Sequence, residues 1–392
     1  MSEAIVIVGG GFAGFWAALA AKRVGGADVE VSLVSREPVL QMRPRLYEAS
    51  PASLCVDLRA PLGEVGVRFV RGHATEIDLA ARRLQLSGGA QLGYGRLVVA
   101  TGSILRRPDI PGAERAWSID TLDEAIAFER RLSEIGGTVS RPVVAIIGAG
   151  FTGIELALEL RDRLAQHAGD ALAARTRIVL IERASTVGPE LGPGPRPAIE
   201  AALAAAQIEC HLGVGVRALG RDRVTLTSGT TLHADAVVLT TGMVAAPFVD
   251  RIAGERDPLG RLMVDRSLQA PRAAAVFVAG DAAAADTGDG HLTLQSCQHA
   301  LQLGRFAGEN AARDLLGMPM LSYAQERYVT CLDLGRSGAV FTNGHERAVV
   351  QTGADAKQIK RRINTSLIYP PTGSREVLLA ASSTDLGPDR RR

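Results

Sequence analysis

The chain has 392 residues, 46% of them hydrophobic and 22% charged. At roughly 150 residues per domain it holds two or three domains and can bury a large core without disulfides. A formal charge of +2 (44 Lys+Arg against 42 Asp+Glu) with only 4% aromatics argues against a nucleic-acid partner and gives no attraction to an anionic membrane. The four cysteines, Cys55, Cys210, Cys297 and Cys331, form no CxxC pair. Their spacing therefore offers neither a zinc site nor a disulfide framework, and it suits a reducing cytoplasm.

Ala4 to Ala21 carries no charge, a length that invites a membrane or signal-peptide reading. Glu3 precedes it and Gly9, Gly10, Gly11 and Gly14 break its middle. A strand, a glycine turn and a buried helix account for it better. Ile5 to Val8 is β-branched, as a buried parallel strand requires, and a helix-prone run from Phe15 to Arg23 follows the glycines. In a GxGxxG turn of this kind Gly9 permits the sharp bend, Gly11 lets backbone approach a pyrophosphate, and Gly14 lets helix pack on strand. The helix start then offers unpaired N–H groups to phosphate. Val29 to Val34 reads as the next strand. It ends at Ser35-Arg36-Glu37, where Ser35 stands in the position usually held by an acid.

The pattern recurs. Val143 to Ile147 reads as a strand, Gly148-Ala149-Gly150-Phe151-Thr152-Gly153 as a second loop, Ile154 to Arg163 as a helix, and Ile178 to Ile181 as a strand ending at Glu182. A carboxylate at Glu182 suits adenosine ribose hydroxyls and so NAD, while Arg183 beside it could take the 2′-phosphate of NADPH. Two such loops in context point to two dinucleotide sites. Leu97 to Gly102 and Val237 to Gly242 each read as a buried strand ending in a Thr-Gly turn, and Ile110-Pro111-Gly112 is a break between units. Val276 to Asp281 delivers an aspartate at a strand's C-terminal end, the edge where open parallel sheets bind ligands. Gln298 and Gln302, four apart, share a helix face, with Gln295 three residues earlier.

These motifs resemble the pyridine nucleotide–disulfide oxidoreductase superfamily of two-dinucleotide flavoproteins. Gly9 to Gly14 are similar to its FAD fingerprint, Gly148 to Gly153 to its NAD fingerprint, Ala100-Thr101-Gly102 to its ATG motif, and Gly280-Asp281 to its GD motif. The resemblance implies an α/β fold with two Rossmann-like domains of glutathione-reductase type. The FAD domain would span 1–111 and 250–318 and the NAD(P)H domain 112–249, while residues 319–392, beyond the resemblance, are expected to form a small α+β domain. FAD would be held by Gly9, Gly11, Phe12, Ala13, Gly14, Arg36, Arg43, Thr101, Gly102, Gly280 and Asp281, with Asp281 on the ribityl chain. NADH would be held by Gly148, Gly150, Thr152, Gly153, Glu182 and Gly242, with Glu155 near the nicotinamide.

Cys297-Gln298-His299-Ala300-Leu301-Gln302-Leu303-Gly304 resembles the AQxAxQxG motif of type II NADH:quinone dehydrogenases, with Cys297 replacing the alanine. The resemblance places Gln298 and Gln302 at a quinone, while His299 falls off their face. No vicinal cysteine pair is present, so dithiol chemistry is not expected. A lone Cys55 leaves open the chemistry of single-cysteine NADH oxidases and peroxidases.

The C-terminal third departs from membrane-docking relatives. Tyr328 to Val340 and Arg347 to Gln351 read as strands, and the basic run Ala356 to Asn364 as solvated surface. No long amphipathic helix with an aromatic face is evident. The expected acceptor is a quinone-like small molecule, with a small redox protein or a biosynthetic metabolite as the alternative. Membrane association is expected to be weak or absent, the location cytoplasmic or peripheral to the inner membrane face, and a homodimer is compatible.

Overall fold

Two parallel sheets, each opened by a glycine turn, organise the chain in a computed structural model that describes residues 4–385. In the first, Ala4–Val8 is central, flanked in parallel by Glu30–Ser35 and Arg96–Val99. Arg68–Arg71 extends one side. Ala273–Val278 extends the other, with antiparallel Gln269–Ala270 at the edge. This sheet thus gathers strands from both ends of the sequence. The second has the order Trp117–Ser118, Ala236–Leu239, Val143–Ile147, Arg177–Glu182, Glu209–Leu212, all parallel.

Alternation along each central strand builds three layers. Ile5 and Ile7 pack with the helices, whereas Val6 and Val8 pack with Leu84 and Leu86 of a small antiparallel sheet. Val144 and Ile146 likewise face helices, and Val143, Ala145 and Ile147 face Val224 and Leu226. The two halves repeat one architecture. An antiparallel ribbon, Ser103–Leu105 against Met243–Ala245, joins them where the chain passes between sheets.

Helices Phe12–Gly25 and Cys297–Leu315 cross at near-backbone contact on the first sheet. A Cβ on Gly304 would stand 2.3 Å from the Ala13 carbonyl oxygen, and one on Gly308 2.1 Å from that of Ala17. Glycines at these two positions and alanines opposite are what allow the approach. The helix carrying Gln298 and Gln302 is thereby fixed against the helix that leaves the first glycine turn.

The C-terminal segment is a three-stranded antiparallel sheet, Val329–Asp333, Ala339–Asn343 and Ala348–Thr352, followed by helix Gly353–Arg362. The run read as one strand from Tyr328 to Val340 is instead a hairpin. Gly335 (φ +57°) and Gly338 (φ +99°) turn the chain with backbone that other residues rarely adopt. No helix among the described residues is long and apolar enough to cross a membrane.

Candidate functional site

A continuous cleft of about 3290 Å³ runs past both glycine turns, the Thr-Gly turns, Asp281, Gln298, Gln302 and the C-terminal sheet. At the first turn Gly9 has φ +114°, and a Cβ there would lie 2.2 Å from the Ala100 carbonyl oxygen. A Cβ on Gly14 would lie 1.8 Å from the Gly9 oxygen, whereas one on Gly11 meets nothing within 4 Å. Gly9 and Gly14 are therefore required by the protein itself. Gly11 leaves space in the cleft at a helix N-terminus, a cradle that suits a pyrophosphate. Phe12, Ala13, Arg36, Thr101, Gly102 and Gly280 line the same wall. The Thr101 hydroxyl is buried there with no hydrogen-bond partner among the described residues, an unmet need that a bound polar ligand would satisfy. These features fit FAD.

Asp281 follows the strand Ala273–Val278 and accepts a hydrogen bond from the Ser103 hydroxyl at 2.7 Å. Burial pushes its carboxyl up, with Arg43 and Ser103 opposing. Arg43 donates to the Ser103 carbonyl at 3.1 Å and pairs with Asp120 at 2.5 Å, so it ties the first glycine unit to the start of the second. Arg45 is engaged by Glu48 and the Tyr369 hydroxyl.

The second turn repeats the first. Gly148 has φ +108° and a Cβ would lie 2.4 Å from the Thr240 oxygen; a Cβ on Gly153 would lie 1.9 Å from the Gly148 oxygen. Thr152 and Gly242 line the cleft beside them. Glu182 is buried and accepts from the Ala149 and Ala184 N–H groups at 2.8 and 2.9 Å, so the turn holds its carboxylate at the end of its strand. Gly150 differs from Gly11. The Glu190 carboxylate stands 2.6 Å from the position of its Cβ and accepts the Phe151 N–H at 2.9 Å. This carboxylate occupies the helix N-terminus that a pyrophosphate would use.

Glu155, in helix Phe151–Ala168, is 3% exposed. Its Oε1 accepts the Asp333 N–H at 2.9 Å and pairs with the Lys360 ammonium at 2.8 Å. Burial pushes the Glu155 carboxyl up to about 7, with Lys360 and the Asp333 N–H opposing. Burial disfavours the Lys360 charge, but the Glu155 and Asp333 carboxylates together outweigh it and hold that pKa above its ordinary value. The basic run read as solvated thus contributes a buried cation. Helix Gly353–Arg362 lies on the sheet so that Lys357 pairs with Asp333 and Lys360, one turn on, with Glu155. The Tyr47 hydroxyl donates to Asp333 at 3.2 Å and accepts from the Asn364 amide at 3.2 Å, and the Lys360 ammonium sits 5.4 Å from the Tyr47 ring centroid.

Gln298 and Gln302 both line the cleft, and Gln298 reaches the Arg327 carbonyl and Val329 N–H at 3.4 Å each. His299 is fully buried, accepts the Leu294 N–H at 3.0 Å and stacks on Tyr328 at 4.7 Å, as its place off the glutamine face implied. Cys55 lies on the short strand Cys55–Asp57, and the residues lining the cleft include Cys297 and Cys331 instead. Burial lifts those thiols to about 11 and about 12, so both stay protonated at neutral pH.

Residues 3–304 match the family described as pyridine nucleotide-disulphide oxidoreductase. The chain is 43% identical to an NADH dehydrogenase-like protein of Mycobacterium tuberculosis, over 98% of this chain and 99% of that one. It is 28% identical to a demethylphylloquinone reductase of Synechocystis, over 86% of each. Among solved structures, NDH2 from Plasmodium falciparum in complex with NADH superposes with a TM-score of 0.80 over 97% of both chains at 12% identity, a likeness of fold.

Proposed function

The chain belongs to the pyridine nucleotide-disulphide oxidoreductase family, an FAD- and NADH-using NADH dehydrogenase-like oxidoreductase, and from that premise we propose that its electron acceptor is a quinone. The observation that carries the reading is the position of Gln298 and Gln302. Two uncharged amides line the cleft on a helix that Gly304 and Gly308 seat against the first glycine-turn helix. Amides offer donors and acceptors to quinone carbonyls without introducing a charge. The demethylphylloquinone reductase of Synechocystis supports the reading by its sequence similarity.

FAD, when bound, would supply the two-electron chemistry between NADH and the acceptor. The protein's own residues do the rest. The first glycine turn and Thr101 would hold the FAD pyrophosphate, and Asp281 would take ribityl hydroxyls. The second turn and Glu182 would hold NADH once the Glu190 carboxylate leaves the Phe151 N–H. Glu155 and Lys360 keep a proton at the deep wall of the cleft, since a carboxyl near pH 7 exchanges one readily. Asp333 and Lys357 form a neighbouring ion pair, its lysine 20% exposed, and Asp333 meets Glu155 through its backbone N–H. Quinone reduction consumes two electrons and two protons. The hydride would supply the electrons and one proton, and the Glu155–Lys360 pair would supply the second.

The sheets also support the domain division 1–111 with 250–318, 112–249 and 319–392. The first sheet takes strands from the first two of those segments. Replacing Gln298 and Gln302 by alanine in the FAD-loaded enzyme tests the acceptor assignment. Bleaching of the flavin by NADH should stay near wild type while turnover with a soluble quinone falls by on the order of tenfold or more. Equal loss in both half-reactions, or none in either, contradicts it. Activity with a redox protein while every quinone is inert would assign the acceptor there.

A further inference from the structure

Asp289, His291 and His345 bring one ligand atom each to within 4.8 Å of one another, at the edge of the cleft that His345 also lines. Two tight turns hold them. Asp286 and Leu292 close a hairpin by an isolated bridge, within which the Thr287 N–H donates to the His291 carbonyl at 2.9 Å. The Gly344 N–H donates to the Tyr328 carbonyl at 2.8 Å and the Arg347 N–H to Gly344 at 3.2 Å, which fixes the turn bearing His345. The two imidazoles stack at 3.9 Å, parallel within 2°. Asp289 Oδ1 lies 3.2 Å from His291 Nδ1 and accepts the Thr287 hydroxyl at 2.5 Å. His345 Nε2 is buried with no hydrogen-bond partner among the described residues.

We propose that Asp289, His291 and His345 bind a divalent transition-metal cation of the zinc class, which clips the C-terminal sheet to the loop leading into the acceptor helix. Two imidazoles and one carboxylate suit zinc, cobalt or nickel and not magnesium or calcium, which take oxygen donors. The Thr287 hydroxyl on Asp289 is the outer partner that orients a ligating carboxylate. A cation lies in the plane of each imidazole it binds, so two parallel rings cannot share one until a ring turns. The His291 side chain is 48% exposed and has room to do so, while His345 is held between His291 and Tyr328, 5.5 Å from the Tyr328 ring centroid. The clip would join residues 286–292, just before helix Cys297–Leu315, to the hairpin turn between Ala339–Asn343 and Ala348–Thr352. Tyr328, stacked on His299 of that helix, lies directly behind it.

The test is a calorimetric titration of the tag-free, metal-stripped, FAD-loaded protein with ZnCl₂. A Cys210→Ser background removes the exposed thiol. One zinc per chain should bind. His345→Ala and His291→Ala should each weaken binding by on the order of tenfold or more, and Asp289→Asn by less. His211→Ala, which removes a separate surface His–Glu pair, should leave binding unchanged. Zinc should raise the thermal midpoint of the parent and not that of His345→Ala. No stoichiometric binding, binding that His345→Ala leaves intact, or equal loss with His211→Ala would each overturn the site.

Discussion

Lys360→Met is the substitution whose outcome follows most directly from the buried ion pair. The ammonium and the Glu155 carboxylate are 2.8 Å apart, with side chains 6% and 3% exposed. At an effective dielectric of about 20, their attraction is about 6 kcal/mol, or about 4 pH units. Methionine fills similar space without the charge, so the Glu155 carboxyl rises from about 7 and stays protonated through pH 9. Glu155 takes up its proton in the native state above its ordinary value of 4.5. The stability this confers is complete below pH 4.5 and is lost as pH rises through the folded value. In the wild type the loss levels off above pH 7; in the variant it continues. Below pH 7 the two stability profiles should run parallel, whatever constant offset the packing change introduces. Above pH 7 the variant should lose about 1.4 kcal/mol more per pH unit. With an unfolding entropy of about 2.1 cal/mol/K per residue, that is about 1.7 °C in thermal midpoint per unit. Scanning calorimetry of both FAD-loaded proteins from pH 6 to 9 reads the divergence directly. Profiles that stay parallel between pH 7 and 9 would refute the claim that Lys360 keeps Glu155 ionisable.

Three further substitutions separate binding from folding. Gly11→Ala, whose Cβ meets no protein atom, should leave apoprotein stability within about 1 kcal/mol of wild type yet reduce FAD affinity by roughly tenfold or more; unfolding titrations and flavin fluorescence decide, and retained affinity would contradict the cradle. Gly14→Ala, 1.8 Å from the Gly9 oxygen, should destabilise the fold itself by several kcal/mol, seen in the same titrations. Glu190→Ala removes the carboxylate that competes for the Phe151 N–H; an exposed charged hydrogen bond of about 0.5–1 kcal/mol predicts a two- to fivefold lower KM for NADH, and a higher KM would show that Glu190 assists binding.

The glycine turns were legible in the sequence because the constraint is local. Gly9 and Gly148 need positive φ, Gly14 and Gly153 need close approach, and both needs are met within six residues. Glu182 and Gln302 were legible for the same reason: strand end and helix face follow from spacing alone. Lys360 was not. Its partner Glu155 lies 205 positions away, and only the C-terminal sheet's docking, with the Asp333 N–H on Glu155, brings them together. A basic run on a short helix looks the same whether its third-residue face is wet or buried. Glu190 was missed because a loop acid carries no periodicity. Gly304 and Gly308 did carry a usable signal: two small residues four apart in a helix, with Ala13 and Ala17 at the same interval in the helix after the first turn.

An anaerobic two-step titration of the wild-type, FAD-loaded protein tests the proposed reaction most directly. One equivalent of NADH should bleach the flavin absorbance, and one equivalent of a short-chain naphthoquinone should then restore it within the turnover time. Bleaching that no quinone reverses would contradict the proposed acceptor, and a flavin untouched by NADH would contradict the reaction as a whole.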